Sequence, residues 1–371
     1  MMKHIHICLV SDQPVPNLTT ILQFRPQSVA MLWSQKMQAK ASRLAKAIKG
    51  LGIGIDNTPP IDPFDSESVI QAVSAIIAGN RGAEISANIT GGTKISALSL
   101  MQAAASHGFR AYYVNTEGDE IIGFGAATGR TPIRVTLPIA TYLAAHGFTI
   151  KSHAGAPDIT TRSAAVRDIV AAMAETPGLA RHLNGAVIKG YAKEGPHAGT
   201  ITISGNAALK KLFERLSQGG LLRHAGDRKY HAASAGVREF LSGKWLEEHV
   251  CSSAVQAGFD EVMLQVFGYW DETDAQTNEF DVLCIRNNRL YVISCKTGAQ
   301  SAPVSGGLSR ILYEIDSVGG DAAGIFGKRM LATSEIIPAG NTRKRAASMG
   351  IEIVDGSDLL SLKERMQSWM K

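Results

Sequence analysis

Asn278-Glu279-Phe280-Asp281 opens one apolar run, Asn287-Asn288 interrupts it, and Tyr291-Val292-Ile293-Ser294-Cys295-Lys296 closes the next. Two runs rich in β-branched and aromatic residues around such a pair read as a β-hairpin. Strand side chains alternate, so Ser294 and Lys296 share a face and Cys295 points away. Asp281, at the start of the neighbouring strand, reaches that same face. A carboxylate and a lysine directed at one spot suit divalent-metal phosphodiester chemistry. The carboxylate takes Mg2+ or Mn2+, which prefer oxygen ligands. The metal lowers the pKa of bound water, and Lys296 orients that water or neutralises charge on the phosphate. Trp245-Leu246-Glu247-Glu248, on a preceding helix, offers a further carboxylate.

Around this hairpin the last third reads as helix 236–254, a strand within 258–270, the hairpin, helix 306–318, a short strand 322–326 that 330–333 extends or follows, strand 351–354 and helix 357–370. The first 150 residues alternate strand and helix patterns. Strands are expected at 4–11, 53–55, 84–89 and 110–115, and helices at 26–50, 66–78 and 93–106. Such a βα series implies a mostly parallel sheet, with ligands beyond the carboxyl ends of its strands. Between these regions lie a linker at 154–160, two or three helices including 207–218, and two short strands at 221–223 and 229–231. Helices followed by a hairpin fit a small winged-helix-like connector. The expected division is 1–150, 151–235 and 236–371.

Composition sets the outer limits. The chain has 371 residues, 45 % apolar and 19 % charged, enough for packed cores and incompatible with a disordered or low-complexity chain. No apolar run reaches the roughly 20 residues of a membrane helix, and residues 1–7 lack the apolar core of a signal peptide. Four cysteines without a CxxC pair fit a reducing cytoplasm and argue against a disulfide framework or a cysteine zinc site. A net charge of +5 permits an anionic partner without demanding one.

Two loops carry the first domain's chemistry. One is Ser11-Asp12-Gln13 with Pro16-Asn17; the other is Asn88-Ile89-Thr90-Gly91-Gly92-Thr93-Lys94, leading into a helix. The glycines let backbone approach a ligand, and the helix amides with Thr90, Thr93 and Lys94 favour phosphate. The motif is neither a dinucleotide fingerprint nor a P-loop. Together these strings resemble the CRISPR-associated Rossmann-fold (CARF) sensor domain over roughly the first 140 residues. The resemblance implies binding of a cyclic oligoadenylate by Ser11, Asp12, Gln13, Asn17, Thr90, Gly91, Gly92, Thr93 and Lys94. A cyclic tetra-adenylate contains a two-fold axis, which fits the pockets of a C2 homodimer, and a hexa-adenylate ring contains one too, so symmetry leaves ring size open. The phosphates suit the glycine loop and Lys94, and the bases suit Gln13 and Asn17.

The order helix with Glu, three strands, helix, strand resembles the PD-(D/E)xK nuclease superfamily. Trp245-Leu246-Glu247, Asn278-Glu279-Phe280-Asp281 and Ser294-Cys295-Lys296-Thr297-Gly298 look like the nuclease half of CARF–nuclease CRISPR effectors. The resemblance implies that Glu247 and Asp281 bind metal, that the Cys295 carbonyl adds a ligand and that Lys296 is the catalytic lysine. One departure stands out: Ser294 occupies the superfamily's usual acidic position, with Glu279 or Glu248 as candidates to compensate. The fold class expected is α/β, a Rossmann-like CARF domain and a PD-(D/E)xK-like domain joined by the connector.

The implied protein is a cytoplasmic, cyclic oligoadenylate-activated nuclease that cleaves RNA or DNA with little sequence specificity. One alternative is a cyclic oligoadenylate-sensing DNA-binding regulator with an inactive nuclease fold, which Ser294 favours. Another is cleavage of the ring in the first domain's own pocket, with Thr90 or Lys94 placing the phosphates. Basic stretches at Lys210, Lys211, Arg215, Arg223, Arg228 and Lys229 and at Arg343-Lys344-Arg345 are either solvated faces or phosphate contacts. Trp270 and Tyr313 are either core residues or stacking platforms for bases. His249, two residues from Glu247, points elsewhere.

Overall fold

A computed structural model describes residues 2–154, 162–194, 200–270, 277–298, 307–324 and 326–371. Two compact units emerge. The first holds Met1–Ile150 with Tyr269–Thr277, and the second holds Lys151–Gly268 with Asn278–Lys371.

The first unit contains β1 (His4–Leu9), α1 (Val15–Phe24), β2 (Ser28–Leu32), α2 (Gln38–Gly50), β3 (Gly54–Asp56), α3 (Ser66–Gly79), β4 (Glu84–Asn88), α4 (Lys94–His107), β5 (Arg110–Asn115), β6 (Glu120–Phe124), β7 (Gly129–Pro132) and α5 (Ile139–His146). Its sheet has the order β3-β2-β1-β4-β5-β6-β7. The first five of these are parallel, and β6 and β7 extend the edge antiparallel. β1 pairs with both β2 and β4, so the strand order reverses beside β1, and ligand crevices open at such switch points, beyond the carboxyl ends of the strands.

One expectation fails here. Residues 26–50 are not one helix: α1 ends at Phe24, Ser28–Leu32 is a wholly buried strand, and only Gln38–Gly50 is helical. A short apolar run buried on both faces carries no period to separate strand from helix. The same shift places Val15-Pro16-Asn17 in the first turn of α1 rather than in a loop.

The second region contains β8 (Phe148–Ala154), α6 (Ser163–Glu175), α7 (Leu179–Glu194), β9 (Thr200–Thr202), α8 (Ala207–Gln218), β10 (Leu222–His224), β11 (Lys229–Ala232), α9 (Ala235–Glu239), a π turn over Phe240–Lys244, α10 (Trp245–Ala257), β12 (Glu261–Trp270), β13 (Thr277–Arg286), β14 (Arg289–Lys296), α11 (Gly307–Ala323), β15 (Lys328–Thr333), α12 (Asn341–Ser348), β16 (Ile351–Asp355) and α13 (Leu362–Met370). Of the expected linker, Ala154 ends β8, and 155–160 lie outside the described residues. α6 to α8 pack with a three-stranded sheet in the order β10-β11-β9. Ile169, Leu183, Phe213 and Tyr230 share a single hydrophobic core with Trp245, Ile293 and Met330, so residues 151–235 have no core of their own.

The other sheet has the order β16-β15-β14-β13-β12-β8, with β13 and β14 antiparallel and β14, β15 and β16 parallel. The β13–β14 turn places Asn287 and Asn288 at φ 50° and 57°, as a tight primed turn needs. The expected helix 236–254 is interrupted by the π turn, where Gly243 has φ 157°. The expected strand 322–326 is displaced: Ala322 and Ala323 still belong to α11, and the strand is Lys328–Thr333.

Candidate functional site

The first unit has a cleft of about 250 Å3 at the carboxyl ends of β1 and β2. Leu9 to Asp12, Ser34, Met37, Phe64 and Gly92 to Thr93 are among its walls. Both loops singled out in the sequence therefore meet here. Gly91 is required by a close approach: a Cβ on it would lie 2.6 Å from the Leu9 carbonyl and 3.0 Å from Ser11 Oγ. Gly92 has φ +79°, which favours glycine. Thr93 caps α4, its Oγ1 accepting from Ser96 N at 3.0 Å and donating to the Pro63 carbonyl at 2.5 Å. Lys94, the first residue of α4, is exposed. Ser11 Oγ accepts from Gln13 N at 3.4 Å, and Asp12 forms an ion pair with Lys40. Gln13 Oε1 is enclosed without a hydrogen-bond partner among the described residues.

Two of the expected ligand residues are instead internal braces. Asn17 is 1 % exposed. Its Nδ2 donates to the Leu9 carbonyl and its Oδ1 accepts from Asn88 Nδ2, both at 2.8 Å. Thr90 Oγ1 donates to Asn88 Oδ1 at 2.6 Å and accepts from Val114 N at 2.8 Å. The Asn17 amide is thus fully enclosed and used up, and the hydroxyl of the half-buried Thr90 is committed to Asn88 and Val114. Ser34 and Met37 in the wall, and Lys40 beside Asp12, have no sequence signal, because the strand β2 that delivers the chain to them reads as helix. Phe64, 70 % exposed at the cleft, carried no motif.

In the second unit, β13 and β14 bring Asp281 and Lys296 together. Lys296 Nζ lies 3.5 Å from Asp281 Oδ2, both side chains being largely buried. The same oxygen accepts from Cys295 N at 2.7 Å and Ser294 Oγ at 3.1 Å. Cys295 packs its side chain against the core. Burial, then the Asp281 charge, push its thiol well above the usual range, so it stays neutral. Glu247, in the first turn of α10, faces the same charges. Burial raises it to about 7, Asp281 and Glu279 add to the rise, and a hydrogen bond from Gln265 with the charge of Lys244 opposes it. Gln265 Nε2 donates to Glu247 Oε2 at 2.8 Å. Burial and Asp281 also raise Glu279. For Lys296, burial alone would lower the pKa, but the Asp281 charge foremost, with Glu314, carries it above its ordinary value. Glu248 does not compensate for Ser294, because it pairs with Arg162 at 2.5 Å. His249 Nε2 meets the Leu359 carbonyl at 2.8 Å, a structural contact.

The donor set is hard oxygen, two carboxylates beside a third, with burial first and mutual repulsion second raising Glu247 and Glu279. That chemistry fits Mg2+ or Mn2+ better than a soft cation. Among the described residues, no three His, Cys, Asp or Glu side chains converge tightly enough to form a complete metal cage. Arg343 drops out as a phosphate contact, since it grips Asp355 at 2.7 and 2.8 Å. Lys211, Arg223 and Lys229 are exposed. Tyr313 is 55 % exposed with the Arg345 guanidinium 5.7 Å from its ring centroid, and Trp270 packs edge-on against Phe148. Among the described residues no helix is long and apolar enough to cross a membrane.

Comparison with known proteins follows this division. Residues 5–142 match the family model of the Card1 CARF domain, and residues 235–371 match that of the Card1-like endonuclease domain. The fold is similar to that of Can2 from Sulfobacillus thermosulfidooxidans, solved in complex with cyclic tetra-adenylate (TM-score 0.78, 22 % identity, covering 99 % of this chain and 97 % of that one). It is also similar to protein VC1899 from Vibrio cholerae (TM-score 0.86, 21 % identity, covering 99 % and 98 %). A type III CRISPR defence DNA nuclease activated by cyclic oligoadenylate matches more loosely (TM-score 0.53, 15 % identity, covering 90 % of this chain and 45 % of that one). No curated protein sequence matches. The chain carries a CARF domain of the Card1 type and a Card1-like endonuclease domain, and it belongs to the CARF-domain CRISPR ancillary nucleases.

Proposed function

We propose that the chain is a cyclic oligoadenylate-activated, metal-dependent endonuclease with a PD-(D/E)xK-like site. The observation that carries this is the meeting of Lys296 with Asp281 at 3.5 Å beside a Glu247 raised to about 7. A bound Mg2+ or Mn2+ supplies an activated water and offsets phosphate charge. Glu247 and Asp281 hold it, with the Cys295 carbonyl as a further ligand. Ser294 Oγ, Cys295 N and Lys296 Nζ all address Asp281 Oδ2, which fixes the carboxylate and leaves Oδ1 outside that network. Lys296 is cationic at neutral pH and orients the attacking water or balances charge on the phosphoryl oxygens. RNA or DNA is the substrate, and the exposed Lys211, Arg223 and Lys229 contact its backbone without reading sequence.

The sensor takes a cyclic oligoadenylate at the cleft beyond β1 and β2, with the Gly92 amide in its wall and Lys94, the Gly91 amide and Gln13 as polar contacts beside it. The solved Can2 complex with cyclic tetra-adenylate supports that ring size. A homodimer is the working form. Ile95 and Leu98, 41 % and 71 % exposed, lie one turn apart on α4 beside Lys94, and the opposite side of α4 is buried. A second copy covering this face would set two clefts about the ring's two-fold axis. Activation follows if the ring favours one dimer arrangement, typically by about 1–3 kcal/mol of coupling.

The test is incubation with Mg2+ or Mn2+ and labelled single-stranded RNA and DNA, with and without cyclic tetra-adenylate. Cleavage that needs both metal and ring is expected, and cleavage that needs neither overturns the reading. Ser294 at the acidic position favours a second reading, a ring-gated DNA-binding protein with an inactive nuclease fold. Metal-independent binding to one duplex sequence without cleavage identifies it.

A further inference from the structure

We propose that Gln265 is a positioning residue of the nuclease site, its left-handed backbone kept so that its amide fixes the Glu247 carboxylate. The proposal rests on the metal-dependent reading above. Among the described residues, six other than glycine have positive φ: Arg25, Asp119, Arg228, Gln265, Asn287 and Asn288. Arg25 caps a helix, and Asp119, Arg228, Asn287 and Asn288 lie in turns. Gln265, at φ 51°, lies inside β12. Left-handed residues within strands are usually glycines at bulges, and Gln lacks the short side chain that lets Asn or Asp adopt that conformation. Such strain persists where the surroundings over-determine it, characteristically at functional sites.

The surroundings here are specific. Leu264 and Val266 are buried on either side of Gln265 and anchor the strand. The Gln265 side chain is turned to α10, where Nε2 donates to Glu247 Oε2 at 2.8 Å. Glu247 otherwise sits among like charges, Asp281 and Glu279, which would drive its carboxylate away from the site. Lys244 cannot take over this role, because its ammonium is committed to Glu239 Oε2 at 2.8 Å. Fixing Oε2 sets the direction of Oε1, the oxygen left to face a cation. Partners that orient a ligating carboxylate in this way typically change metal affinity or activity by about 10–100-fold when removed.

The test uses the full chain and three variants, Q265G, Q265A and Q265N. Glycine adopts φ 51° without strain, so Q265G is expected to melt no lower than wild type. Its Mn2+ dissociation constant by calorimetry, and the Mn2+ half-saturation of its cleavage, are nevertheless expected to rise about tenfold or more. Q265N tolerates the backbone but is one methylene too short, and the same metal defect is expected. Q265A keeps the strain and loses the amide, combining that defect with a lower melting temperature. The proposal is overturned if Q265G binds Mn2+ and cleaves as wild type does, or if losses appear only in variants that melt lower. A wild type that cleaves without metal, or binds none, overturns the metal reading itself and this proposal with it.

Discussion

Ser294 Oγ donates to Asp281 Oδ2 at 3.1 Å, so this hydroxyl steadies the neighbouring carboxylate and adds no charge of its own. Ser294→Asp would place a further negative charge beside Asp281 and Glu279. Tighter Mn2+ binding, by about tenfold, is expected, together with a lower melting temperature in the metal-free protein. Calorimetric titration and thermal melts with and without Mn2+ check both halves.

Asp281→Asn and Lys296→Ala separate chemistry from sensing. Asn keeps the shape of Asp and can still accept from Cys295 N, so the fold survives. Cleavage is expected to fall by at least about a hundredfold for either variant. Ring binding is expected to stay within twofold of wild type, because the sensor cleft is lined only by residues of the first unit. Single-turnover cleavage and equilibrium ring binding on the same preparations decide it.

His6 makes the sensor unit acid-labile. It is fully buried on β1, with Nδ1 2.7 Å from Ser86 Oγ and Nε2 2.9 Å from Thr20 Oγ1. Burial first, then the neighbouring His4, lower its pKa to about 3. The unfolded chain titrates near 6.5, so it binds a proton that the folded chain refuses. This contribution to stability is complete above pH 6.5 and is lost as pH falls towards 3, to a limit of about 5 kcal/mol. Thermal melts between pH 7.5 and 4 are expected to show the steepening loss. His6→Gln removes it, whatever its effect on stability at pH 7.5.

Leu98→Glu tests the dimer. The exposed apolar face of α4 would gain a charge that a partner copy must bury. A monomer by light scattering is expected, with ring binding weakened at least tenfold. A variant that stays dimeric and binds normally shows that α4 is not the interface.

Reversing three exposed charges, Lys211→Glu with Arg223→Glu and Lys229→Glu, is expected to weaken substrate binding across all sequences. The dependence of log affinity on log salt should flatten by about 0.7 per lost contact on single strands. An unchanged slope would make this face solvated surface only.

The readable parts of the chain were those with a local signature. Arg110–Asn115 and Ala207–Gln218 were legible residue for residue, the first as a compact β-rich run and the second as a helix with a clean apolar stripe. The Asn287-Asn288 turn fixed the hairpin register, and with it the meeting of Asp281 and Lys296. Ser28–Leu32 carries no such signature, because burial on both faces erases the period. Ser34, Met37 and Lys40, which follow it, are hidden with it. Asn17 and Thr90 have the chemistry of ligand contacts and are spent inside the fold, a distinction only three-dimensional hydrogen bonding makes. Gln265 had no sequence signal, since nothing in a run of strand residues announces a positive φ.

The relay from the Leu9 carbonyl through Asn17, Asn88 and Thr90 to Val114 N has a further consequence. It pins the glycine loop to three strands before any ring arrives. A messenger docking on so rigid a cradle loses little free energy to ordering it.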